Sequence, residues 1–90
     1  MKILRMKHPA KPSAAKPADW AFMEQSGNVL DAIPETWKRY PSTKEGMMGI
    51  IEMEMAELKK AANDADRSHE LVHLASACLR LWRKINVADE

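Results

Sequence analysis

Glu54 and Glu57 stand three residues apart, and so do Glu70 and His73. Spacing of i, i+3 puts both members of a pair on one side of a helix. Twelve residues separate Glu57 from Glu70, room for the end of one helix, a tight turn and the start of the next. Two antiparallel helices joined that closely bring the pairs face to face. Carboxylates converging in a partly apolar setting repel one another unless a positive charge lies between them, and a divalent metal ion is the usual one. Against this stands the plainer reading that glutamates on helix flanks are solvated and a histidine near a core has a local partner. Either pair alone favours that reading; the matched spacing on adjacent helices argues for a site.

The second pair also sits inside His69-Glu-Leu-Val-His73, which spells the H-E-x-x-H zinc-protease pattern. A zinc site needs a third protein ligand, and the only acidic residues after His73 are the terminal Asp89 and Glu90. Helical phase, reckoned from the apolar stripe Leu71, Leu74, Cys78, Leu81 and Ile85, turns His69 farther from the core than Glu70. Ninety residues also leave little body for a peptide-binding cleft. The sequence therefore reads this match as accidental. A dinuclear Glu-x-x-His bundle site needs four ligand-bearing helices, unless a dimer supplies them.

The elements that must position these groups are helical. Met, Ala, Leu, Glu and Lys are plentiful and strand formers few, which predicts an all-α protein. Residues 1–18 read as a flexible basic arm, with Pro9, Pro12 and Pro17 among lysines, and residues 19–90 as the helical domain. Asp19 is placed to cap a first helix, which Pro34 ends. A short helical turn over 34–40 follows, closed by Pro41. Ser42-Thr-Lys-Glu45 has a capping-box pattern, so a second helix runs from there to about Asn63, with Met47, Ile51, Met55, Leu58 and Ala62 as its stripe. Asp66 or Ser68 caps a third helix that begins near Arg67 and reaches Asn86. A further apolar strip on it, Val72, Ala75, Leu79 and Trp82, predicts a subunit interface. The expected architecture is an antiparallel bundle of two long helices plus an N-terminal helix, completed by oligomerisation.

Composition narrows the partners. The net charge of +1 gives no general argument for nucleic acid, and no apolar run approaches membrane-spanning length. Cys78 is the only cysteine, so there is neither a disulfide framework nor a thiolate zinc site; it reads as a buried thiol in a reducing cytoplasm. The start is basic but too short in apolar residues for a signal peptide.

Glu54-Met-Ala-Glu57, a short spacer and Glu70-Leu-Val-His73 together resemble the MazG-like nucleoside triphosphate pyrophosphohydrolases, whose motif is E-x-x-E, a spacer, then E-x-x-D. The neighbouring Ile50 and Ile51, Leu58 and Ala61, and the alanine-rich run from Leu74 to Leu81 are similar too, so the likeness covers roughly residues 42 to 86. The resemblance implies a metal-dependent hydrolase that converts a nucleoside triphosphate to its monophosphate and pyrophosphate. Glu54, Glu57 and Glu70 would be catalytic and hold Mg²⁺ or Mn²⁺, with His73 in the fourth ligand's place. Arg80, Lys84 and Lys38 would bind the triphosphate, with Trp37 or Trp20 as candidates for the base, and the chain would work as a homodimer or homotetramer. The departure is His73, because imidazole is a poor ligand for the hard Mg²⁺ and a better one for Mn²⁺ or Zn²⁺. Three consequences stay open: another metal, nucleotide binding with little turnover, or a scaffold kept for interaction with other helices.

Overall fold

A computed structural model describes residues 2–3 and 16–88. Its elements are β1 (Lys2–Ile3), α1 (Pro17–Asp31), a 3₁₀ turn (Glu35–Arg39), α2 (Lys44–Lys60), α3 (Asp64–Asn86) and β2 (Val87–Ala88). The protein is helical, and its only strands among the described residues are the two-residue β1 and β2, paired antiparallel. No helix among them is long and apolar enough to cross a membrane.

Each helix starts where a side chain satisfies its free N–H groups. The Asp19 carboxylate accepts from the Lys16 backbone N–H at 2.8 Å, so Asp19 lies inside the first turn of α1 rather than capping it. Thr43 caps α2 by accepting from the Gly46 N–H at 3.0 Å, a contact worth about 1 kcal/mol in typical helices. Asn63 caps α3 by accepting from the Asp66 N–H at 2.8 Å, which moves the start of that helix ahead of the expected Arg67. Gly46 sits so close to the preceding loop that a Cβ there would overlap the carbonyl oxygen of Pro41. The domain boundary shifts likewise, since α1 begins at Pro17; the arm expected over residues 1–18 otherwise lies largely outside the described residues.

Helix α3 is the centre, with α2 and α1 both packed on it. The turn between α2 and α3 is three residues long, so the chain doubles back, placing Ile50 near Ala77 and Glu54 near His73. Trp37 is 1% exposed and fills the core with Ile50 and Ala77, against Val29, Leu30, Ile33, Tyr40, Ile51 and Met53. Where α1 meets α3 the contact is made by small residues: Ser76 Oγ lies 2.9 Å from the Ser26 carbonyl oxygen and 2.7 Å from that of Val72, sharing one proton between them.

The buried faces differ from the expected stripes. On α2 the buried residues are Gly46, Met47, Ile50 and Glu54, so the face is rotated by roughly one residue, ~100°, from the Met47–Ile51–Met55 stripe. On α3 the buried residues are Val72, Ser76 and Ala77, nearly opposite the stripe of Leu71, Cys78 and Ile85. Small side chains win the inward face because they let the helices approach, while Trp37 supplies the bulk. Cys78 is exposed, against the expectation of a buried thiol. Val72 belongs to the core of its own chain and leaves the expected interface strip. The large apolar residues left in water are Trp20, Phe22 and Met23 on α1, Met48 and Met55 on α2, and Leu71, Trp82 and Ile85 on α3.

Candidate metal centre between α2 and α3

Glu54 is a carboxylate in the core, 3% exposed. Its presence there follows from its place on the inward face of α2, one and two turns beyond Ile50 and Met47. Burying a carboxylate is costly unless it is hydrogen-bonded, and Trp37 meets that need: its indole N–H donates to Glu54 Oε2 at 2.7 Å. The 3₁₀ turn thus fixes one oxygen and leaves Oε1 facing His73, whose Nδ1 lies 3.8 Å away. Glu70 Oε1 lies 3.9 Å from the same nitrogen. Both separations are too long for hydrogen bonds and short enough for strong charge interaction if the ring is protonated.

These groups line a cavity of about 290 Å³ with Glu57, His69, Pro34, Thr36 and Met53. Glu54 and Glu57 come from α2, Glu70 and His73 from α3, and the pairs meet as their spacing predicts. Glu57 is exposed at the mouth, where a second hollow, of about 260 Å³, adds Lys60 and Asp66 to Glu57, His69 and Glu70. The cavity therefore grades from buried Glu54 through half-buried Glu70 to exposed Glu57.

His69 is the residue the sequence reading turned away. Its ring centroid is 4.3 Å from that of His73, tilted by 50°, and His69, Glu70 and His73 bring one ligand atom each to within 4.8 Å of one another. The inward face of α3 runs through Val72, Ser76 and Ala77, and His69 and His73 project from that same side. Trp37 as the partner of Glu54 was also missed; a lone tryptophan after a proline carries no signal of which polar group its N–H will meet.

The cationic residues are elsewhere. Arg80 and Lys84 line a separate hollow of about 250 Å³ with Arg83, Ser42, Leu30, Ile33 and Met47, and neither borders the carboxylate cavity. Arg80 stands over the Trp37 ring, with its guanidinium carbon 5.9 Å from the ring centroid. Lys38 borders neither hollow; it pairs with exposed Glu35 at 2.9 Å, and that hydrogen bond and charge hold the Glu35 carboxyl below its ordinary range. Trp37 is too buried to stack on a base, whereas Trp20 is 40% exposed.

Comparisons with models of known protein families, with characterised proteins and with solved structures return no match to this chain.

Proposed function

We propose that this chain is a divalent-metal-dependent nucleoside triphosphate pyrophosphohydrolase of the MazG-like kind, with Glu54, Glu57, Glu70 and His73 holding Mg²⁺ or Mn²⁺. The observation that supports this most is that all four line one cavity although they come from two helices. The donor set fits a divalent cation: three carboxylates supply hard oxygen ligands, and the single imidazole shifts the preference from Mg²⁺ toward Mn²⁺. When bound, the ion neutralises phosphate oxygens and makes a water molecule acidic enough to attack. The chain's own part is positional. Trp37 holds Glu54 in one orientation, Pro34 and Met53 close the apolar side of the cavity, and Glu57 and Glu70 stand at the open side where a phosphate chain would enter.

Self-association belongs to the same reading. Large apolar residues stay exposed on all three helices, and a homodimer or homotetramer would cover them. Sedimentation at micromolar concentration should show a species heavier than the 10.2 kDa chain; a lone 10.2 kDa species would remove this part of the reading.

The decisive assay offers deoxynucleoside and ribonucleoside triphosphates with Mg²⁺ or Mn²⁺ and measures pyrophosphate. Release of pyrophosphate and monophosphate is expected, faster with Mn²⁺, and Glu57→Gln should abolish most of it. The second reading is a non-catalytic helical module that binds nucleotide or other helices; the histidine in a ligand position and the exposed apolar faces favour it. Triphosphate binding without any pyrophosphate would select it.

A further inference from the structure

We propose that His69, Glu70 and His73 form a site for a late first-row divalent ion, of which zinc is the type, with Glu54 as the buried fourth donor. This goes beyond the hydrolase reading and needs no hydrolysis, although it shares the cavity and Glu54, Glu70 and His73 with it; His69 in place of Glu57 is what differs.

The geometry carries the argument. The three ligand atoms already lie within 4.8 Å of one another. A tetrahedral zinc ion with bonds of about 2.1 Å holds its ligands roughly 3.4 Å apart. Side-chain rotations of about an ångström at His69, Glu70 and His73 would close the set. One turn of helix separates the two imidazoles, and their rings already share the same space.

Glu54 is the independent observation. It is 3% exposed, Oε2 is committed to Trp37, and Oε1, which no side-chain hydrogen bond holds among the described residues, keeps what water contact the carboxylate has and turns it toward His73. A carboxylate so placed calls for a positive group opposite its free oxygen. The nearest candidate is His73 at 3.8 Å, and an ion held by His69 and His73 would stand on that side.

Chemistry then selects the ion. Two imidazoles disfavour Mg²⁺ and strengthen binding along the series from Mn²⁺ through Co²⁺ to the later ions. Glu57 matters to a magnesium site built from carboxylates and is not required here, so the two sites can be told apart by substitution. Cys78, exposed on another side of α3, is the rival zinc ligand to be excluded.

The test titrates the metal-free, full-length chain with Zn²⁺, Co²⁺ and Mg²⁺, following heat of binding, melting temperature and the visible absorption of Co²⁺. One Zn²⁺ per chain is expected, bound more tightly than Co²⁺ and far more tightly than Mg²⁺. His69→Ala should weaken Zn²⁺ by about 100-fold and erase the Co²⁺ band, while Cys78→Ser changes it by less than about threefold. His69→Gln serves as a second variant if the alanine form melts early. Equal zinc affinity in His69→Ala and the parent, loss of binding in Cys78→Ser, or no zinc binding at all would each overturn the proposal. The hydrolase reading fails on a different measurement: a chain that releases no pyrophosphate can still bind zinc through His69, and one that releases it can leave zinc unbound.

Discussion

Trp37 separates two cavities of opposite character. Its indole N–H side carries Glu54, and beyond it Glu57, Glu70 and the two histidines; its ring faces Arg80, which opens onto Arg83 and Lys84. The acidic cavity is fixed at its inner end, because Glu54 is buried and tied to an N–H on a rigid turn. The basic hollow is different: the ends of long side chains stand over an apolar floor of Leu30, Ile33 and Met47. Fixed donors suit a compact ion with definite ligand directions, whereas adaptable cations suit an extended anion whose charge is spread over several oxygens. The buried indole stands between them, and among the described residues no ion pair joins Arg80, Arg83 or Lys84 to these carboxylates.

The comparison breaks most completely at the wall. Trp37→Ala should cost about 3–5 kcal/mol, since it empties the centre of the core. Trp37→Phe keeps most of the volume and removes only the donor, so about 1–3 kcal/mol should be lost through the unpaired Glu54. Denaturant unfolding measures both. A Trp37→Phe protein as stable as the parent would mean that Glu54 does not depend on the indole, and the fixed character of the acidic cavity would go with it.

The next effect sharpens the acidic side. His73→Asp replaces a soft nitrogen with a hard oxygen beside Glu54 and Glu70. Without metal the variant should melt earlier, from carboxylate repulsion; with Mg²⁺ it should recover and bind that ion about tenfold more tightly than the parent. Thermal melts across a Mg²⁺ series check this. Destabilisation that Mg²⁺ does not reverse would indicate that these carboxylates form no Mg²⁺ site.

The smallest effect lies on the basic side. Arg80→Gln should weaken binding of inorganic triphosphate in the basic hollow by about 1 kcal/mol, or roughly fivefold, in a salt-dependent way. The rise in melting temperature given by Mn²⁺ should stay as in the parent. A change in the metal response instead would show that the two cavities are one.

Much of this arrangement could be read from the residues, and the failures share one cause. Pro34 and Pro41 punctuate the chain, so the 3₁₀ turn and the start of α2 stand within a residue of where local chemistry puts them, although Thr43 rather than Ser42 is the cap and α2 stops at Lys60 instead of Asn63. The pairing of Glu54 and Glu57 with Glu70 and His73 followed from spacing and a short turn alone. The facing of the helices did not follow, because hydrophobicity ranks side chains without saying what covers them. Leu71 and Ile85 are greasier than Ser76 and Ala77, yet the smaller pair lies inside and the larger pair outside. His69 was misplaced as a result: its phase was measured from a stripe that faces water. The Trp37–Glu54 bond was beyond reach for another reason, since it joins residues 17 apart whose meeting depends on the whole turn.

Gly46 carries a consequence for how this sequence can drift. The loop ahead of α2 lies against a backbone position with no room for even one added carbon, and the same loop contributes Ser42 to the basic hollow, while α2 contributes Met47. An alanine at 46 would have to push Pro41 away from the helix, and Ser42, next in the chain, would move with it. A substitution that looks like the mildest available in a helix would thus reshape the basic hollow from behind, without altering any residue that lines it.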